Sequence, residues 1–184
     1  MGTGVFFGLR NARSGHLAHE LPGLPLRSLF LPVIALGVQT WALTRDDGSH
    51  RLELMGLSFV LLAVFALRNR KHPPMLLLLA GACLNMAPML LHHGYMPITP
   101  DTLSTLNPSY HGAWPIGLTH YGSKDIIVNA ADSPLWFLGD VFALALAFPM
   151  STAFSIGDIV ILGSFLWAIC HFMGRQPNQF STAS

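Results

Sequence analysis

The chain has 184 residues, 52% of them hydrophobic and only 10% charged, less than half the ~25% charged that is usual in soluble domains. Ten Lys and Arg against nine Asp and Glu leave a net charge of +1, which argues against nucleic-acid binding and against a disordered chain. The length fits one domain, and a mean hydropathy of +0.49 indicates lipid as the solvent.

In chain order, residues 1–9 look like the truncated tail of a membrane helix, with Gly4 and Gly8 spaced for close helix contact. Crossing ~30 Å of hydrocarbon takes ~20 mostly apolar residues. Residues 24–43, 52–67, 73–91 and 154–173 meet or approach that requirement. The composition predicts an all-α integral membrane fold of four transmembrane helices plus the truncated N-terminal helix. Short connections near Asp46 and Asn69 make the first three spans antiparallel neighbours.

Residues 92–153 form a long connection whose composition is not that of disorder, and they read as an ordered lid. Thr99-Pro100-Asp101 is a helix-start signal, a cap residue followed by Pro at the first helical position. Ser133-Pro134 repeats it ahead of Trp136. Residues 135–150, apolar but with Asp140 in their midst, are expected to form an interfacial or re-entrant helix.

The few charges are sorted. Arg10, Arg13, Arg27, Arg68, Arg70, Lys71 and Arg175 fall on one side of the predicted spans, against Arg45, Arg51 and Lys124 on the other. The positive-inside rule puts the larger group in the cytoplasm and the lid outside. A multi-pass protein of a bacterial inner membrane, its C-terminus cytoplasmic, is the expected arrangement.

Several polar residues share a depth near the outer ends of the spans. Gln39, Ser58, Asn85 and Asp158 each lie four to six positions inside, about 6–9 Å at 1.5 Å per residue. Ionisable groups at such depth are functional candidates. The sharpest hypothesis joins Asn85, Asp140 and Asp158, with His92 or His93, in one site, Gln39 being a further candidate. A structural reading stands beside it. Ser155-Ile156-Gly157-Asp158 fits a capping box, and Asn85 and Gln39 suit hydrogen bonding between helices. Cys83 and Cys170 differ in depth by about 9 Å, too far for a disulfide, and read as packing residues. The nine histidines lack any HExxH or CxxC context, so no metal and no particular cofactor is assigned.

Three segments carry a resemblance. His92-His93-Gly94-Tyr95-Met96-Pro97-Ile98, Leu135-Trp136-Phe137-Leu138-Gly139-Asp140 and Phe154-Ser155-Ile156-Gly157-Asp158 resemble, in order and spacing, the signatures of an uncharacterised prokaryotic membrane-protein family, DUF5317. Ser123-Lys124-Asp125 is similar to the polar stretch between them. His92-His93 stands where the family has Asn-Gly. The resemblance implies a bacterial inner-membrane protein of four or five helices and implies no reaction.

Three functions compete. A small accessory or scaffolding subunit of a larger membrane complex, with the lipid bilayer as its other partner, suits the size and the lack of catalytic motifs. A membrane-embedded enzyme or binder for a lipid, isoprenoid, quinone or pigment suits an outer-leaflet polar pocket. An ion pathway is disfavoured, because the inner halves of the spans are nearly free of polar groups.

Overall fold

The computed structural model describes residues 26–45, 50–119, 123–145 and 151–173. The N-terminal stretch 1–9, residues 24–25 of the first predicted span, Asp46 and Arg175 lie outside them. Four long helices form the body: α1 (Phe30–Leu43), α2 (Arg51–Arg68), α3 (Pro73–Leu91) and α5 (Ile156–Met173). The lid between α3 and α5 contains β1 (Met96–Ile98), α4 (Pro100–Leu106), β2 (Asp125–Ile127), a single 3-10 turn (Trp136–Leu138), β3 (Phe142–Leu144) and β4 (Thr152–Phe154).

The helices alternate in direction. One apolar cluster joins Leu31, Phe65, Met75, Leu78 and Ala168, which places the start of α1, the end of α2, the start of α3 and the end of α5 together. A second joins Ala42, Met55, Phe59, Ala82, Met89 and Met96 at the lid end. The α3–α5 contact is close because glycines face it. A Cβ on Gly81 would meet Ile161 Cγ1 at 2.7 Å and the carbonyl oxygen of Gly157 at 3.0 Å. Small residues permit such approach where dispersion holds helices together. The hydroxyl of Ser164 donates to Pro74 O across the same seam (2.7 Å).

Among the described residues, α3 and α5 are long and apolar enough to cross a membrane. Their termini follow from sequence. Pro73 and Pro74 occupy the first turn of α3, where a missing N–H costs nothing. His93 (φ 54°) and Gly94 (φ 86°) turn the chain out of it, and the Gly94 N–H donates to Met89 O (2.8 Å). Gly94 is also a close approach: a Cβ there would stand 2.8 Å from Leu52 N, at the start of α2.

Four expectations about the fold need correction. The first helix begins at Phe30, not near residue 24, because the buried Asn69 side chain clasps the backbone ahead of it. Asn69 Oδ1 accepts from Arg27 N (2.7 Å) and Nδ2 donates to Arg27 O (2.9 Å), with Ser28 at φ 61°. The fold is not all-α, since β1 pairs parallel with β2 and β3 pairs antiparallel with β4. Residues 135–145 are not helical beyond the 3-10 turn, because Gly139 brings the chain against β1. The Asp140 N–H donates to Pro97 O (2.9 Å), and a Cβ on Gly139 would collide with that same oxygen. Ser133 likewise caps nothing. Its hydroxyl is spent on His92, and Leu135 precedes the 3-10 turn without a side-chain cap. Thr99 does cap α4, accepting from Thr102 N (3.4 Å) with Pro100 at the first position.

Candidate functional site

β1 and β2 pair with Met96 opposite Asp125, and the Met96 N–H donates to Lys124 O (2.7 Å). That register fixes Lys124 at the junction of lid and bundle. Its Nζ donates to Asp140 Oδ1 (3.2 Å) and to Asp158 Oδ2 (3.4 Å). Asp140 Oδ2 lies 3.0 Å from the same nitrogen, in ion-pair contact. One ammonium therefore bridges the lid, through Asp140, and the first turn of α5, through Asp158.

Asp158 does two jobs. Its backbone N–H donates to Ser155 Oγ (3.0 Å), and its Oδ2 accepts from Ser155 N (3.1 Å). This is the reciprocal capping box, with a carboxylate at the positive end of the helix dipole. Its Oδ1 accepts from Asn85 Nδ2 (2.7 Å), while Asn85 Oδ1 accepts from the buried Ser155 hydroxyl (2.7 Å). Asn85 thus ties α3 to both cap residues of α5. Gly157 makes room for it, because a Cβ there would strike the Asn85 amide.

The charges do not balance locally. Asp140, Asp158 and, through space, Asp125 act on one lysine. Burial works against the charge of Lys124, but Asp140 and then Asp158 outweigh it and hold its pKa above the ordinary 10.5. Asp140, only 1% exposed, is pushed up to about 7 by burial, with Lys124 opposing. A carboxyl shifted this far beside a lysine occurs both at functional sites and in structural ion-pair networks.

The structure brings Asn85, Asp140 and Asp158 together and leaves the other three candidates apart. His92 is buried, its Nδ1 donating to Pro88 O (2.7 Å) and its Nε2 meeting the Ser133 hydroxyl (2.6 Å), so it pins the lid to α3. His93 is exposed and serves as a turn residue. Gln39 donates to Ser58 Oγ (2.9 Å), a bond between α1 and α2. Cys83 and Cys170 are free and exposed, not packed as expected.

Sequence reasoning missed two cations. Lys124 was part of a motif but of no proposed site. Arg51 is buried, with Nη1 donating to Ser123 O (3.1 Å) and its guanidinium 4.1 Å from the Tyr95 ring centroid. Both belong to the minority of basic residues on the acid-rich side of the chain, the one signal that could have found them.

Fold and site together define a helical-bundle protein with two membrane-length apolar helices, closed at one end by a lid through a lysine–carboxylate centre. The chain belongs to a family of unknown function, DUF5317, whose model matches residues 25–170. The match extends over α1 and α2, where the sequence resemblance rested on hydropathy alone. No curated protein and no solved structure matches the chain.

Proposed function

We propose that this is a polytopic membrane protein in which α1, α2, α3 and α5 all cross a bacterial inner membrane, with the lid outside. In that setting it acts as a small accessory subunit of a larger membrane complex. The apolar surface supports the membrane assignment. α5 buries Gly157, Ser164 and Ala168 while Ile159, Leu162, Phe165, Leu166 and Ile169 are exposed, the reverse of a helix folding in water. At 14 residues, α1 covers about 21 Å, and it crosses where the bilayer is locally thinned.

The observation that carries the accessory role is an arm of the lid, residues 107–118. It contains no Asp, Glu, Lys or Arg, yet Tyr110, Ile116 and Leu118 are 47%, 57% and 52% exposed. Tyr110 and Trp114 rings stand 4.3 Å apart, and Trp114 Nε1 donates to Ser104 Oγ (3.0 Å). Preorganised aromatics on a surface depleted of charge are the composition of a protein interface centre. The lysine centre, its hydrogen bonds met largely within itself, holds the arm's base to the bundle.

Purification in mild detergent followed by native mass spectrometry tests this. A stoichiometric protein partner that is lost in Tyr110→Ser/Trp114→Ser supports the subunit role. A monomer carrying only lipid overturns it. The second reading, a binder or enzyme at the outer-leaflet centre, is favoured by the near-neutral Asp140. A co-purifying quinone, isoprenoid or pigment lost in Asp140→Asn would establish it instead.

A further inference from the structure

We infer that the bundle end opposite the lid binds the phosphate of an anionic phospholipid, an assignment that rests on the membrane reading above. The site is built by the Asn69 clasp. Asn69 is 3% exposed, and besides gripping the Arg27 backbone through both amide atoms its Nδ2 donates to Phe65 O (2.8 Å). A segment forty-two positions away is thereby fixed beside the α2–α3 turn. Arg27 then shares a rim with Arg68, Arg70 and Lys71, and all four are exposed.

Nothing in the described structure neutralises them. Glu53, Asp101, Asp125, Asp132, Asp140 and Asp158, the acids among the described residues, belong to the first turn of α2, the lid or the first turn of α5, all at the other end. No ion pair or side-chain hydrogen bond of Arg27, Arg68, Arg70 or Lys71 occurs among the described residues. Four like charges held in one place by a buried amide repel one another, and an anionic group seated among them relieves that repulsion.

The surface next to the rim decides the class of anion. Leu29, Phe30 and Val33 at the start of α1, and Val64 and Leu67 at the end of α2, are all exposed. A phosphate at the rim with acyl chains lying along these side chains uses both surfaces, whereas free phosphate uses only the first. Clustered Lys and Arg at the ends of membrane helices hold anionic headgroups at about 1 kcal/mol per cation. The clasp adds a fixed position for Arg27, which charge bias in a loop does not require.

The test measures lipid retention by native mass spectrometry, offering the full chain phosphatidylglycerol and phosphatidylcholine with the same acyl chains. Preferential retention of phosphatidylglycerol is expected, falling about fivefold for each of Arg27→Gln, Arg70→Gln and Lys71→Gln. Arg45→Gln, at the lid end, leaves it unchanged. Equal retention of the two lipids, or an Arg27→Gln variant that binds as wild type, overturns the inference. Displacement of phosphatidylglycerol by excess inorganic phosphate overturns it in favour of a free-phosphate site. If alkaline carbonate strips the protein from membranes, the membrane reading itself fails. A protein that stays membrane-bound but does not discriminate lipids fails this inference alone.

Discussion

Lys124→Met removes the one cation that, among the described residues, pairs with both Asp140 and Asp158. Breaking a buried pair costs ~3–5 kcal/mol, but Lys124 is a third exposed, so a loss of about 2 kcal/mol is expected after screening. Thermal unfolding in detergent at pH 8 should show it, and Lys124→Met/Asp140→Leu should recover most of the loss. The sign of the pH dependence follows from Asp140. Its folded pKa, about 7, lies above its ordinary 3.8, so its contribution to stability is fully present below about 3.8 and is lost as pH rises through about 7. Lid protection, read as hydrogen exchange at the Met96 amide, should therefore increase from pH 8 to pH 5.5, and Asp140→Asn should flatten the profile. Asp158→Asn distinguishes the capping role from the ionic one. The amide supplies one acceptor where the carboxylate serves Asn85, Ser155 and Lys124, so a cost of about 1–3 kcal/mol is expected. Wild-type stability in that variant would show that the cap alone matters.

At the scale of elements, the α3–α5 seam offers a controlled pair of substitutions. Gly157→Ala places a methyl against the Asn85 amide and should cost about 1–3 kcal/mol as overpacking. Gly163→Ala, on the same helix with nothing within 4 Å, should be neutral or stabilise by up to about 1 kcal/mol. Melting temperatures of the two variants decide whether close approach or helix propensity controls α5. The legibility of elements follows the same division. The limits of α3 at 73 and 91 could be read because Pro73, Pro74 and Gly94 act locally. The start of α1 could not, because Asn69, forty-two positions away, sets it. Residues 135–145 read as an apolar helix, but the partner that extends them is the Pro97 carbonyl, a contact that no periodicity reveals.

For the whole molecule, the testable quantity is topology. A single reporter cysteine at His111, in the arm, should react with an impermeant maleimide in intact cells. One at Arg70 should react only after permeabilisation. The native Cys83 and Cys170, exposed on apolar helix surfaces, should stay unlabelled until detergent is added. Labelling of both reporters from the same side would overturn the four-span arrangement. The sorted charges that predict this topology also produce the two ends of the molecule. The acid-rich end encloses its lysine in a network, and the basic end leaves its cations exposed.

Whatever depends on composition and short-range chemistry can be read before the chain folds. The apolar helices, the ends of α3, the α4 cap, the capping box at Ser155 and Asp158, and family membership were all legible from residues a few positions apart. Which polar residues meet, by contrast, is a matter of long-range packing. Asn85, Lys124, Asp140 and Asp158 come from three parts of the chain, and their convergence depends on the register of β1 with β2 and on two glycines that permit backbone contact. His92, His93 and Gln39 shared the same sequence credentials and went elsewhere. A side chain's depth along a helix follows from counting residues, whereas its azimuth and its partner across a seam are set by packing.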